Sequence, residues 1–307
     1  MNNRGLLIKY KINRLKKPDE VNGYLPQNRR SGSKPWYMMS VIRMNSTYLE
    51  CIDKFFMTKG ALTFIGGIFF IGCLWLIIGE FIDRCLSKSC NPGLNYYIIN
   101  IFVFAFLFFN GHLIKKDAFQ YTHYPIRFNR KTRMVHFFRT DGSVLSVPWD
   151  YIFFTLARLE GRDWEVRALI TDHFQHLVLE VIPLSFYGGE NDRYLLYQWE
   201  FIRRYMEEPD ELPRLADQVE RIPIPAGKKE GYLHGLTTLL ATNSGIGLII
   251  ALFVSLGRAF AMYFSKIPRW PDYVEAESYY SPHDPYLRDE DHLAEKNKMM
   301  PPWMEKE

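Results

Sequence analysis

Four cysteines in 307 residues are too few to staple the chain, so no disulfide scaffold is encoded. Neither sign of charge dominates: 38 Lys+Arg stand against 34 Asp+Glu, a formal net charge of +4, which implies no nucleic-acid-binding surface. There is no Ser nucleophile elbow, no Gly-rich phosphate loop and no paired-Glu motif. An enzyme is therefore not expected, and no catalytic residue or cofactor is assigned. What the chain does have is apolar residues, 48% of it with 16% aromatic, which excludes a disordered or collagen-like polymer. The mean hydropathy of −0.18 suggests an ordinary soluble protein. That average misleads, because the apolar residues are gathered into three blocks.

From Ala61 to Gly79 the run ALTFIGGIFFIGCLWLIIG carries no charge. As a helix it is about 28 Å long, close to the roughly 30 Å of a hydrocarbon core. A second uncharged run, Leu94 to Ile114, ends on Lys115-Lys116, and the two predict a transmembrane hairpin over 61–114. A third, Gly231 to Gly257, is softened by His234, three threonines, Asn243 and Ser244. In and just beyond it Gly247, Ala251, Ser255 and Ala259 recur at every fourth position, the small-residue stripe of a helix pressed closely on another. The expectation is a third span within 232–264, with an interfacial or re-entrant segment as the alternative.

Orientation follows from Lys and Arg in the flanks. Residues 1–60 hold twelve of them against four acids, and Lys115, Lys116, Arg127, Arg130, Lys131 and Arg133 follow the second span. The hairpin loop has only Arg84 and Lys88. The positive-inside rule then places the N-terminus and residues 115–231 in the cytoplasm and the loop outside. Cys85 and Cys90 fall in that outside loop, where they form a disulfide across a short turn or stay as idle thiols. A third span would put the tail 265–307 outside, and its six basic and ten acidic residues from Lys266 onward do not oppose that.

Between the hairpin and the third run lies enough chain for one domain. Strand-like stretches read at 126–128, 134–139, 144–147, 151–158, 164–170 and 177–181. Asp141-Gly142 is a hairpin signal, and Trp164, Val166, Ala168 and Ile170 alternate as in a half-buried strand. After Gly188-Gly189 the period changes, and Leu195, Trp199, Ile202 and Met206 form the apolar face of a helix over 192–207. The expected fold class is two or three transmembrane helices plus an α+β part. The latter is an antiparallel small barrel or curved sheet, in the order of a pleckstrin-homology-like domain, closed by the helix. Trp149 and Trp199 are expected in its core.

Chemistry is sparse. Asp172, His173 and His176 are the only metal-like group, but they sit in a β turn, where the spacing points the side chains apart, so no metal site is assigned. Arg127, Arg130, Lys131 and Arg133, interleaved with Phe128 and Phe137, suit a membrane-proximal basic patch facing anionic lipid.

The blocks SVIRMNSTYLECIDKFFMTKG, HYPIRFNRKTRMVHFFRTDGSVLSVPWDYIFFTLAR, YQWEFIRRYMEE and IPRWPDYVEAE occur in that order. As a set, over most of residues 38–280, they resemble an uncharacterised family of proteobacterial inner-membrane proteins known only as a domain of unknown function. Members are often encoded beside type VI secretion genes and their toxic effectors. The resemblance implies a non-catalytic immunity or accessory protein; the expected partners are membrane lipids, an effector toxin or secretion component, and further copies of itself in a homo-oligomer. The alternative is a membrane-anchored module that senses anionic lipid or the envelope.

Overall fold

The computed structural model describes residues 10–87, 94–159, 163–174, 176–184, 193–242 and 246–293. Cys85 lies in a helix whose side chain there is not described, and Cys90 and Gly188-Gly189 fall outside the described residues.

The chain opens with β1 (Arg14–Leu15), α1 (Pro18–Asn22), β2 (Val41–Met44) and β3 (Tyr48–Cys51). Two long helices follow, α2 (Ala61–Ser87) and α3 (Leu94–Ala118). Then come β4 (Ile126–Asn129), β5 (Met134–Phe138), β6 (Val144–Pro148), β7 (Ile152–Leu159), β8 (Asp163–Thr171) and β9 (Leu177–Pro183). The remainder is helical: α4 (Arg193–Glu207), α5 (Leu212–Gln218), α6 (Tyr232–Thr242), α7 (Ile246–Phe264) and α8 (Asp272–Glu277).

These elements sort into two compact units. The β unit draws on three stretches, the chain up to Phe56, His123–Lys228, and the chain from Ile267 onward. The helical unit takes Met57–Thr122 and Lys229–Lys266. Neither the basic N-terminal region nor the polar tail is a region apart, because both supply structure to the β unit.

All six strands read from the sequence between 126 and 183 are present, and so is the helix ending at Glu207. Their arrangement differs from a closed barrel. Two antiparallel sheets form, one in the order β1-β9-β8-β7 and one in the order β2-β3-β4-β5-β6. The physical reason lies in the N-terminal chain. Strand β3 pairs with β4, Glu50 opposite Arg127, and β1 pairs with β9, Arg14 opposite Val178. Each thereby takes a position that β4 and β9 would otherwise offer to one another.

Between the sheets and α4, Trp149 and Trp199 stack with ring centroids 5.8 Å apart, and Phe154 lies 4.7 Å from each. All three are fully buried, so truncating either tryptophan removes the centre of the core. Strand β8 is buried on both faces rather than one. On its polar face Glu165 and Arg167 are covered by Tyr10, Arg14 and Glu20: the Tyr10 hydroxyl donates to Glu165 at 3.0 Å and Arg14 pairs with Glu20 at 2.6 Å.

In the helical unit, α2, α3 and α7 are each long and apolar enough to cross a membrane. Only 17%, 6% and 33% of their apolar windows are buried within the protein, which leaves Ile, Leu and Phe side chains facing outward. The run 232–264 is not one helix. It divides into α6, 11 residues and about 16 Å long, and α7, 19 residues and about 28 Å, which pack on each other as a helical hairpin.

Candidate functional site

The start of α2 is built by reciprocal capping. A helix leaves its first N–H groups and last carbonyls without partners, and these carry partial charge. The Asp117 carboxylate, at the end of α3, accepts from the Gly60 N–H at 3.0 Å, the Thr63 N–H at 2.9 Å and the Thr63 hydroxyl at 2.8 Å. In return the Lys59 ammonium donates to the carbonyls of Asp117 and Tyr121, both at 2.7 Å. Lys59 and Asp117 are buried, so each charge substitutes for water at the other helix's end.

Arg258 of α7 reaches the same place. Its guanidinium pairs with Glu230, just before α6, at 2.8 Å and donates to the Lys59 carbonyl at 3.4 Å. Both side chains of this pair are 1% exposed. Close backbone approach makes the contact feasible. Gly60 has φ +90°, and a Cβ there would lie 2.2 Å from the Arg258 Cα, while a Cβ on Gly257 would lie 2.5 Å from the Gly60 carbonyl oxygen. The Ser265 hydroxyl donates to the Ala118 carbonyl at 3.1 Å, joining the ends of α7 and α3. The beginning of α2, the end of α3, the beginning of α6 and the end of α7 thus meet at one end of the bundle. A cavity of about 10 Å³, lined by Glu230, Tyr232, Gly235, Ser255 and Arg258, lies beside the ion pair.

On α7, Ala251 and Ser255 are buried, whereas Gly247 and Ala259 are only half-buried. A fourth-position stripe drifts by about 40° per step on a helix of 3.6 residues per turn. The packed line accordingly runs from Ala251 and Ser255 to Arg258 and Met262. Arg258 and Glu230 were not among the residues picked out from the sequence. The signal for Arg258 was there, one arginine in an otherwise apolar run, since an ionisable residue in such a setting marks a buried partner.

In the β unit the four basic residues do not share a face. Arg127 is 3% exposed, held by Glu50 at 2.7 Å and Glu275 at 3.2 Å and sandwiched between the rings of Tyr48 and Trp270. Arg133 pairs with Asp150 at 2.5 Å and Glu207 at 2.8 Å. Arg130 is half-buried and Lys131 exposed. Burial takes Arg127 out of any lipid-facing patch, because a cation already desolvated by rings and carboxylates has little left to offer a headgroup.

Next to Arg127, His136 is wholly buried, with Nδ1 2.8 Å from the Ser146 hydroxyl and Nε2 3.7 Å from the Glu277 carboxylate. Burial, reinforced by the Arg127 charge, pushes its pKa down to about 4, so the ring is neutral. Asp172 is occupied as a turn device: its carboxylate accepts the His176 N–H at 2.8 Å and the Leu177 N–H at 3.1 Å, and both histidine side chains face outward. An apolar cleft of about 50 Å³ opens near Phe55, Tyr124, Ile126, Phe137 and Ile182. Its one carboxylate, Asp53, accepts the N–H groups of Phe55 and Tyr124, both at 2.8 Å.

No curated protein and no solved structure matches the chain. A family model does match, over residues 101–282, from the middle of α3 through the β unit to the segment after α8. With more than half of its 307 residues inside that match, the chain belongs to DUF6708, a family of unknown function.

Proposed function

We propose that this is a non-catalytic, multi-pass protein of the bacterial inner membrane, with its N-terminus in the cytoplasm, that binds a protein partner. The observation that carries the membrane part is the meeting of four chain ends at one end of an outwardly apolar bundle, around Lys59, Asp117, Glu230 and Arg258. A chain that enters and leaves a bundle at the same end twice crosses an even number of times. The α2–α3 hairpin spans and returns. The α6–α7 pair enters and returns as a re-entrant hairpin, since α6 is about half the length a crossing needs. The segments before α2, between α3 and α6, and after α7 then share one side. The positive flanks make that side the cytoplasm. This replaces the external tail expected from three independent crossings.

The partner is an effector of a type VI secretion system or a component of that system, which would make the protein an immunity or accessory factor. This part rests on the resemblance. The β unit supports a binding rather than a catalytic role, because its buried charges are taken up in pairs such as Arg127 with Glu50 and Arg203 with Glu200.

Topology is tested in cells carrying Cys85→Ser and Cys90→Ser. With Cys51 and Cys73 buried, cysteines introduced one at a time at Ser33, His173 and His283 should all resist a membrane-impermeant maleimide until the inner membrane is permeabilised. Labelling of the residue-283 variant in intact spheroplasts would mean that α7 crosses alone. For the partner, affinity purification of the tagged protein in mild detergent should return one stoichiometric effector or secretion component. Deletion of the gene should sensitise cells to that effector, and indifference to every neighbouring effector removes the immunity reading.

A further inference from the structure

A sheet edge exposes a row of backbone donors and acceptors, and folded chains usually cover it. Three of the four edges here are covered from within the β unit. Along β7, the Leu25 N–H donates to Phe154 and the Leu156 N–H to Gly23, while the Gln27 amide donates to the Ile152 carbonyl. On β2, Met44 and Arg288 exchange both backbone bonds, at 3.0 and 2.8 Å. Strand β1 is two residues long, and the Arg14 side chain caps the Leu15 carbonyl at 2.9 Å.

The fourth edge, β6, is different. Its ladder with β5 pairs His136 with Ser146 and Phe138 with Val144, and its bonded neighbours include Arg139 N–H to Ser143 and Trp149 N–H to Arg133. Bonded and non-bonded pairs alternate in an antiparallel ladder. The N–H and carbonyl groups of Leu145 and Val147 therefore face β5, and those of Val144 and Ser146 face away. Among the described residues nothing pairs with these outward groups.

We infer that β6 pairs antiparallel with β6 of a second copy of this chain, about a two-fold axis through Leu145. In that register Val144 of one copy lies opposite Ser146 of the other, and the four outward groups on each strand make four backbone hydrogen bonds. The ladder then ends without loss. The next bonded pair would set Pro148 opposite Gly142, where proline has no N–H to satisfy and the Gly142 N–H already donates to the Arg139 carbonyl at 3.0 Å. Gly142 also presents no side chain to the proline ring. A foreign strand can meet the same donors, but a second copy does so with donors and acceptors matched by symmetry alone, the isologous arrangement of two-fold dimers. The two five-stranded sheets become one continuous sheet.

The test uses the full-length protein in detergent, in the Cys85→Ser, Cys90→Ser background. Leu145→Cys places one cysteine on the axis, at a non-bonded pair with Cα atoms about 4.5 Å apart, within disulfide reach. Mild oxidation should give a covalent dimer. The control Asp141→Cys should not, since the two copies of residue 141 are separated by eight residues along the strands, about 27 Å. Separately, Val144→Pro removes an outward N–H without touching the β5 ladder and should convert the protein from twice the protomer mass to once, while Val144→Thr stays dimeric. A monomeric wild type overturns the proposal, as does cross-linking at 145 no better than at 141. So does a Val144→Pro variant that keeps the dimer. If that variant does not fold, the cross-linking comparison decides.

Discussion

Lys59 and Asp117 in the helical unit are held mainly by peptide groups, whereas Glu20, Glu165 and Glu200 in the β unit are each paired with cationic side chains. The difference follows from what each architecture leaves unpaired. Strands in a ladder satisfy their own backbone, so most charges buried against the sheets are met by other charges, although Asp53 is held by two loop N–H groups. Helix ends offer orphan amides and carbonyls, and in an apolar setting without water they are the available counter-groups. Arg258 stands between the two cases, since it pairs with Glu230 and also donates to the Lys59 carbonyl.

The largest expected effect breaks that intermediate case. Arg258→Met leaves the Glu230 carboxylate buried without its cation and should cost about 3–5 kcal/mol, the range for one-sided removal of a buried pair. Thermal unfolding in detergent should show it as a large drop in Tm. Adding Glu230→Gln should recover most of the loss. In the β unit the parallel change, Arg127→Met, should cost less, because Glu275 is half exposed and can turn to solvent, while the buried Glu50 carboxylate keeps the Trp270 N–H as a donor at 3.1 Å. Equal losses in the two units would erase the distinction.

The legible parts of the fold were those with local periodicity. The strands between 126 and 183 alternate, and α4 repeats its apolar residues at three and four, so each could be placed from its own residues. Strands β1, β2 and β3 are two to four residues long and pair with distant segments: Glu50 and Arg127 are 77 positions apart. No window on the sequence contains both, so the second sheet and the open architecture were invisible. The same holds for the site. Arg258 is legible as a lone charge in an apolar run, a signal passed over in the sequence, and its partner Glu230 lies 28 positions away, on the far side of α6.

A middle-sized effect probes how the β unit handles a group that carries no charge at all. His136 is neutral in the fold, with its pKa near 4 against an ordinary value of 6.5. Arg127 opposes its protonation, Glu277 at 3.7 Å favours it, and Ser146, Trp270 and Tyr273 surround it without charge. Because the native pKa lies below the unfolded one, the unfolded chain takes up the proton first. The stabilisation is full above about pH 6.5 and is lost as pH falls towards 4, by about 3 kcal/mol in all. Denaturant unfolding between pH 7 and pH 4.5 should therefore fall more steeply for the wild type than for His136→Gln, which cannot titrate. Identical slopes would show that the ring accepts a proton in the fold as readily as in the unfolded chain.

The smallest effect isolates backbone capping in the helical unit. Asp117→Asn keeps an acceptor oxygen for the Thr63 amide and removes the negative charge from the start of α2, so the loss should be about 1 kcal/mol. Asp117→Ala removes the acceptor too and should cost about 2 kcal/mol. The ratio is informative because the Lys59 ammonium is held by carbonyls of Asp117 and Tyr121, not by the Asp117 carboxylate. If Asp117→Asn is nearly as damaging as Arg258→Met, then the carboxylate is neutralising Lys59 through space. The helical unit would then balance charge against charge, as the β unit does, with the peptide groups merely filling the remaining positions.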